Sequence, residues 1–457
     1  MIYLLTLIGL ILRLLLSNQS FWLDEGASIM AARVPLAQFF TYIKADFQPP
    51  LYYLFLKLWL PLAGNSEWLI RLPGILVGAA TVPLLFLICR KIFGNTSKIP
   101  LIAALFLALN PFHIYYSQEL RMYNLSTIFV LLSWMALLDE QYIYVSVANL
   151  LCVFTFYGAG FNLVSQGIYL FFSKKKDLGK FTLSVIPMVI AFILWWPIFS
   201  AQLQVGNYIQ NALPGWSLLS GSTTIKSLLL IPIKFILGRI NLEPQSLYFA
   251  VGGFILLIFL ILILFSFGNK KSRSLCYFFL VPLILATFVS FKIPILGYWR
   301  YLFVLPAFLT LVATGIFELP KKFHFVAIVF ICLLFMAANL IFWLTPKFQR
   351  EDWRGFSQFV TGKNALVVLP FPGVFAPLTF YKTDAVYYPA EDSLGKTSVD
   401  LKQKLIPLTK NYQNIFVMDY LSDLSDPNRQ ILNTVREIKT KEKAVYNFNN
   451  LGQVYSF

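Results

Sequence analysis

MIYLLTLIGLILRLLLSNQSFWLDEG, residues 1–26, holds the reading of the whole chain in small. From Met1 to Ser17 the only charged side chain is Arg13, and a few residues later Phe21 and Trp22 lead into two adjacent carboxylates, Asp24 and Glu25. An apolar run close to the ~20 residues that a bilayer-spanning helix needs is thus followed at once by acidic groups in an aromatic setting. The run has no basic n-region before it and no small-residue cleavage site after it, so it is expected to stay in place as a first membrane helix.

The rest of the chain repeats the apolar half of this pattern. Of 457 residues, 58% are hydrophobic and 13% charged, and the mean hydropathy is +0.70. A soluble core cannot hide that much apolar side chain, so lipid must cover the excess. Hydropathy places spans at 1–17, 73–93, 99–117, 122–138, 142–157, 159–173, 181–199, 247–267, 275–291, 299–317 and 323–344, about eleven in all. With the N-terminus in the cytoplasm, the cytoplasmic loops collect Arg90 and Lys91, Lys174 to Lys176, Lys270, Lys271 and Arg273, and Lys321 and Lys322. That asymmetry obeys the positive-inside rule, so the net charge of +16 reports topology and not nucleic-acid binding. Segment 18–72, stretch 200–246 and everything from residue 345 onward then share the extracytoplasmic side. The four cysteines, Cys89, Cys152, Cys276 and Cys332, all fall in apolar segments, and no disulfide framework is implied.

The sequence therefore divides into a transmembrane domain, 1–344, with a long extracytoplasmic loop at 18–72 as the candidate catalytic segment for the carboxylates it carries, and an extracytoplasmic domain, 345–457. In the latter, short β-prone runs (365–370, 385–388, 415–419, 444–448) alternate with helical segments at 353–360 and 427–439, the order of a small α/β domain.

Residues 1–344 hold ten acidic side chains, which makes the location of each informative. Partial desolvation by Phe21 and Trp22 suits Asp24 or Glu25 to act as a general base, although the same pair equally suits a cap on the helix that follows. Asp46–Phe47–Gln48–Pro49–Pro50–Leu51–Tyr52–Tyr53 and Glu67–Trp68–Leu69–Ile70–Arg71 frame helices lying in the membrane interface, with Lys57 and Arg71 able to meet anionic headgroups. At the turn after the third span, Gln118, Glu119, Arg121 and Tyr123 put ionisable groups at a depth that is costly unless they are paired or working. In Tyr298–Trp299–Arg300–Tyr301 one guanidinium stands among aromatics, and it suits either a phosphate or an interfacial belt. There is no P-loop and no zinc-like Cys/His spacing, since the histidines are His113 and His324.

Taken in order, the Asp-Glu pair, Gln-Pro-Pro-Leu-Tyr-Tyr, Arg-Leu-Pro, Asn-Pro-Phe-His-Ile-Tyr-Tyr-Ser-Gln-Glu-Leu-Arg-Met-Tyr and Tyr-Trp-Arg-Tyr resemble the bacterial relatives of the dolichyl-phosphate-mannose protein mannosyltransferases and the aminoarabinose transferases. The likeness is strongest from residue 18 to 125 and extends to Glu351–Asp352–Trp353–Arg354. It implies the GT-C glycosyltransferase fold in a prokaryotic plasma (inner) membrane. The implied donor is a polyprenyl-phosphate sugar, and the acceptor a lipid, polysaccharide or protein at the extracytoplasmic face. By the same resemblance Asp24 is the catalytic carboxylate and Glu25 its helper. Arg300, Arg121, Lys57 and Arg71 are candidate contacts for the donor phosphate, and Gln48, Tyr52, Tyr53, Gln118, Glu119, Tyr123, Tyr298 and Tyr301 line the substrate cavity. Where aminoarabinose transferases usually carry a Lys before the first loop proline, this chain has Gln48. A polyprenyl phosphate leaves as a stabilised anion, so transfer needs a base and cations but no general acid. A divalent cation is compatible with an Asp-Glu pair but is not required for a monophosphate donor.

Two rival classes remain. A polyprenyl-lipid flippase or transporter would place ionisable residues deep in the spans, where apart from Arg13 there are almost none. A scaffold presenting the tail would leave the Asp24 and Arg300 clusters without a role. The orientation has its own test: cysteines introduced at positions 24, 119 and 400 are expected to react with membrane-impermeant thiol reagents from outside, and one at position 175 is not. The reverse pattern would overturn the topology.

Overall fold

The computed structural model describes residues 1–439 and 441–457. It separates into two compact units: Met1–Ser17, Asp46–Ser200 and Leu218–Phe348 form one, and Asn18–Ala45, Ala201–Ser217 and Gln349–Phe457 the other. The division falls inside the long first loop, whose front half belongs with the tail.

The first unit is a multi-pass membrane bundle. Seven helices among the described residues are long and apolar enough to cross a bilayer: Glu67–Phe93, Lys175–Ala212, Trp216–Leu237, Gln245–Ser266, Lys270–Ser290, Tyr298–Glu318 and Lys321–Leu344. A bent pair, Ile99–Leu109 with Pro111–Ser117, passes the same test together, and Ile2–Leu14, Leu51–Ala63, Tyr123–Leu138 and Tyr142–Thr155 are shorter apolar helices. Each of the eleven expected spans falls on a helix. Tyr298–Glu318 is the core of the bundle, buried along nearly all of its apolar stretch.

One stretch is more apolar than its sequence reading. The stretch 200–246, read as wholly extracytoplasmic, contains Trp216–Leu237, which is apolar enough to cross. Pro214 and Gly215 just ahead of it, the Gly221–Thr224 turn and Pro232 inside it interrupt the apolar run and hide it from a hydropathy window.

Proline also explains the bent pair. Pro111 has no N–H to give and cannot continue the preceding helix, so the chain turns by 58°. In a bilayer the carbonyls freed by such a break must find donors within the protein. Arg13 supplies them from the first helix: its Nη2 donates to Leu107 O at 3.1 Å and its Nη1 to Ala108 O at 3.2 Å. Asn339 Nδ2 donates to Leu109 O at 2.9 Å. The debt runs both ways, because Gln118 Nε2, just beyond the break, donates to Arg13 O at 2.9 Å and Leu15 O at 2.6 Å and so closes the end of the first helix. Asn110 Oδ1 accepts from His113 N at 2.9 Å and starts the second limb.

The second unit carries a five-stranded sheet. Its strands are β1 (Ala365–Leu369), β2 (Val386–Pro389), β5 (Asn414–Met418), β6 (Ala444–Phe448) and β7 (Gly452–Ser456), with β3 (Glu391–Ser393) and β4 (Lys396–Thr397) forming a separate ribbon. The order is β2-β1-β5-β7-β6. β1 runs parallel to β2 and β5, and β7 pairs antiparallel with β5 and β6. Alternation along β1 sends Val367 and Leu369 into a core with Trp353, Phe356 and Phe375, and Leu366 and Val368 into a core with Leu405, Ile431 and Val435. Both faces are therefore covered.

Arg13→Leu is expected to leave the Leu107 and Ala108 carbonyls without donors, at about 1–3 kcal/mol for each buried group. Thermal unfolding of the full chain in detergent should show a clearly lower midpoint, and a melting curve identical to wild type would refute the capping role.

Candidate active site

In the second unit, the helix Leu23–Arg33 begins with the carboxylate pair in its first turn, where orphan amides and the helix dipole favour negative charge. The two groups differ in surroundings. Glu25 is fully buried, with Oε2 3.6 Å from Arg350 Nη1 and 3.4 Å from the Trp22 amide that donates to it. Asp24 stays partly exposed, and its carbonyl accepts from Ser28 Oγ at 3.0 Å. Gly26 is needed next to them, since a Cβ there would lie 2.7 Å from the nitrogen of Pro377.

A third carboxylate joins this helix from a distance. Glu351 Oε2 accepts from the Leu23 amide at 2.9 Å and from Trp353 Nε1 at 2.7 Å, while Oε1 accepts from Tyr420 OH at 2.8 Å. Burial pushes the Glu351 carboxyl up to about 7, with Asp24 adding to the rise and the three donors opposing it.

In the membrane unit the predicted cavity residues are mostly buried. Tyr52, Tyr53, Gln118, Glu119, Tyr123 and Tyr301 are buried, and Gln48 and Lys57 are partly buried. Tyr301 OH donates to Ile295 O at 2.9 Å. Arg71, read as a headgroup contact, is almost completely buried and donates to Ser17 O at 2.8 Å. Arg300 Nη1 donates to Ser220 O at 2.8 Å and to Pro294 O at 2.9 Å, stapling two loops together. Arg121 lines a small apolar cavity with Tyr52, Leu56, Ile70 and Asn124.

The residues that reading the sequence missed are Lys234 and Arg239. Gly238 ends the helix Ile225–Leu237 at φ +64°, and a Cβ there would lie 3.0 Å from Pro111 Cβ, so this chain end packs directly on the broken helix. Arg239 Nη1 then donates to Tyr298 OH at 2.7 Å, and its guanidinium lies 5.1 Å from the centre of the Tyr115 ring. Burial works against its charge, but Tyr298, Tyr115, Tyr116 and Glu119 outweigh that and hold Arg239 well above the usual range. Buried Lys234 donates to Ile240 O at 2.9 Å and Asn241 Oδ1 at 2.6 Å, with its ammonium 4.9 Å from the Tyr248 ring and 5.8 Å from that of Tyr298. The signal that could have found this pair is a stretch from Ser200 to Leu242 that holds three cations, Lys226, Lys234 and Arg239, and no acidic residue. Among the described residues no group of three or more His, Cys, Asp and Glu side chains converges.

Residues 47–200 match the family described as dolichyl-phosphate-mannose-protein mannosyltransferase. Comparison with curated protein sequences gave no match. Among solved structures, ArnT from Cupriavidus metallidurans in its apo state aligns over 99% of this chain and 97% of its own, at 14% identity and a TM-score of 0.59. The same protein bound to undecaprenyl phosphate aligns over the same shares, at 13% identity and a TM-score of 0.58. The fold is that of a GT-C glycosyltransferase. The family match and the fold thus bear out the resemblance carried by the motifs, and the GT-C architecture covers the tail as well as the membrane helices.

Because folding raises the Glu351 pKa above its ordinary value, its favourable contribution is present below the usual carboxylate range and is lost as pH rises through about 7. Glu351→Gln, neutral throughout, is expected to raise the melting midpoint over wild type by about 2–4 °C at about pH 8 and to leave it unchanged near pH 5. Equal shifts at both values would mean that Glu351 is not titrating in the folded protein.

Proposed function

We propose that this chain transfers a sugar from a polyprenyl-phosphate donor to an acceptor hydroxyl or amine at the extracytoplasmic face, in one displacement with inversion. The observation that carries the reading is the cluster of Lys234 and Arg239 among Tyr115, Tyr248 and Tyr298 at the end of an apolar helix. A planar guanidinium beside phenolic donors suits a phosphate whose lipid tail stays in the bilayer. Undecaprenyl phosphate bound to ArnT supports that choice of donor.

The division of the carboxylates supports the other half of the reaction. Asp24, the more open of the pair, takes the proton from the acceptor as its oxygen or nitrogen attacks the anomeric carbon. The bond from that carbon to the phosphate oxygen breaks, and polyprenyl phosphate leaves with the electron pair. Arg239 stabilises the departing charge, with Arg300, Arg121 and Lys57 as further candidate cations. Glu25, buried against Arg350, keeps the helix in place.

The test uses the solubilised full chain and a panel of synthetic undecaprenyl-phosphate sugars (mannose, glucose, galactose and 4-amino-4-deoxyarabinose), with release of undecaprenyl phosphate as the readout. Asp24→Asn is expected to lower turnover at least ~10²-fold, the usual lower bound for losing a general base. Arg239→Ala should weaken donor use about ten- to a hundredfold, the equivalent of ~1.5–3 kcal/mol for bonds to a charged group, and Arg239→Lys should recover only part of it. Wild-type turnover in Asp24→Asn would remove the base from that residue, and full donor use in Arg239→Ala would remove the phosphate contact.

A further inference from the structure

The first helix turn of Leu23–Arg33 is capped from within its own turn only at Trp22, whose amide donates to Glu25 Oε2 at 3.4 Å. Its N-cap residue is Trp22, whose side chain caps no backbone amide. A Ser, Thr, Asp or Asn would normally accept from one of the orphan amides there. Here the acceptor comes from 328 positions away, as Glu351 Oε2 takes the Leu23 amide. The segment leading into the helix is tied to the tail at neighbouring points too. Gln19 Oε1 accepts from Arg350 N at 2.9 Å, Ser20 Oγ from Arg354 N at 3.0 Å, and Tyr381 OH from Phe21 N at 2.8 Å. Glu351 is itself located by Trp353 Nε1 and Tyr420 OH, so its oxygens have little freedom.

We propose that Glu351 is a positioning residue for transfer: its carboxylate takes the Leu23 amide, which no side chain of the helix's own N-terminus caps, and fixes the turn that carries Asp24. This rests on the reading of Asp24 as the base. Leu23 and Asp24 are consecutive, so a shift of the Leu23 amide moves the carboxylate, and a misplacement of ~1 Å can cost about a hundredfold in rate. Glu351 matters more when ionised, because bonds to a carboxylate are roughly twice as strong as those to a neutral acceptor. The charged and titratable groups around it are Asp24 on the helix it caps, Tyr420 after β5, and its chain neighbour Arg350 paired with Glu25. Its titration near neutrality makes that difference measurable.

The experiment compares wild type, Glu351→Ala and Glu351→Gln as full chains, using whichever undecaprenyl-phosphate sugar of the panel the wild type turns over, between about pH 5.5 and pH 8.5. Glu351→Ala is expected to lower kcat about ten- to a hundredfold with the donor KM within about threefold. Glu351→Gln keeps an acceptor oxygen for the Leu23 amide but no charge, so its kcat should lie between that of the Ala variant and that of wild type at high pH, near the low-pH level of wild type. The wild-type kcat should fall as pH drops through about 7, and the Gln variant should lack that step. Wild-type kcat in Glu351→Ala would overturn the proposal. So would equal losses in both variants with the wild-type pH profile intact in Glu351→Gln, the signature of a packing role alone. If Asp24→Asn is inactive while Glu351→Ala is not, only the positioning falls; full activity of Asp24→Asn removes the base reading and the positioning with it.

Discussion

A carbonyl left without a donor inside a bilayer has no water to turn to, and the membrane unit is organised around one place where that problem arises. Pro111 breaks a helix at the level where Tyr115, Tyr116 and Glu119 must turn toward the cationic cluster. The break persists because Arg13 and Asn339 cover the three carbonyls it frees. Arg13, a guanidinium that a membrane span would otherwise exclude, is kept in the bundle by these bonds and by His113 Nδ1 at 2.8 Å and Ser117 Oγ at 3.2 Å. Gly238 then lets the next chain end approach Pro111 closely, which brings Arg239 to Tyr115 and Tyr298. The location of the proposed phosphate contact thus follows from a proline and from the charge that stabilises its consequences.

The second unit shows environment separating three chemically similar groups. Glu25 is buried and paired, Glu351 holds three hydrogen bonds and titrates near neutrality, and Asp24 retains an open side. Burial and partners, not residue type, assign their roles. Glu351 also illustrates a trade between stability and order: its ionised form is disfavoured by burial, yet that form caps the helix best. Such a group persists where a defined geometry is worth more than the stability a neutral side chain would add.

Much of this was legible in the sequence. Hydropathy located a helix for every expected span, because apolar length is a strong local signal. The strands near 365, 386, 415 and 444 were readable from β-branched and aromatic runs, whereas β7, Gly452–Ser456, carries Gly, Gln and Ser and gave no such pattern. The ordered motifs carried the fold class. Trp216–Leu237 was missed because prolines and a Gly-Ser-Thr turn interrupt it, and with it went Lys234 and Arg239. Nor could a sequence show that Arg71 and Gln118 serve backbone carbonyls, since a polar side chain beside an apolar run looks the same whether it faces substrate or a helix end.

The same ambiguity bears on which arginine is proposed as the leading phosphate contact. Arg300 has the more suggestive sequence setting, flanked by tyrosine and tryptophan, and Arg239 has no local motif at all. In three dimensions the order reverses. One nitrogen of Arg300 bridges the carbonyls of Ser220 and Pro294, a bond pair that ties loops and that Lys would reproduce poorly for steric reasons unrelated to phosphate. Arg239 is bound through a phenol, Tyr298 OH, and a hydroxyl that accepts from a guanidinium still has a proton to donate to an incoming oxygen. A cation held by such a group is preorganised for an anion, whereas a cation bonded to backbone carbonyls also serves the fold.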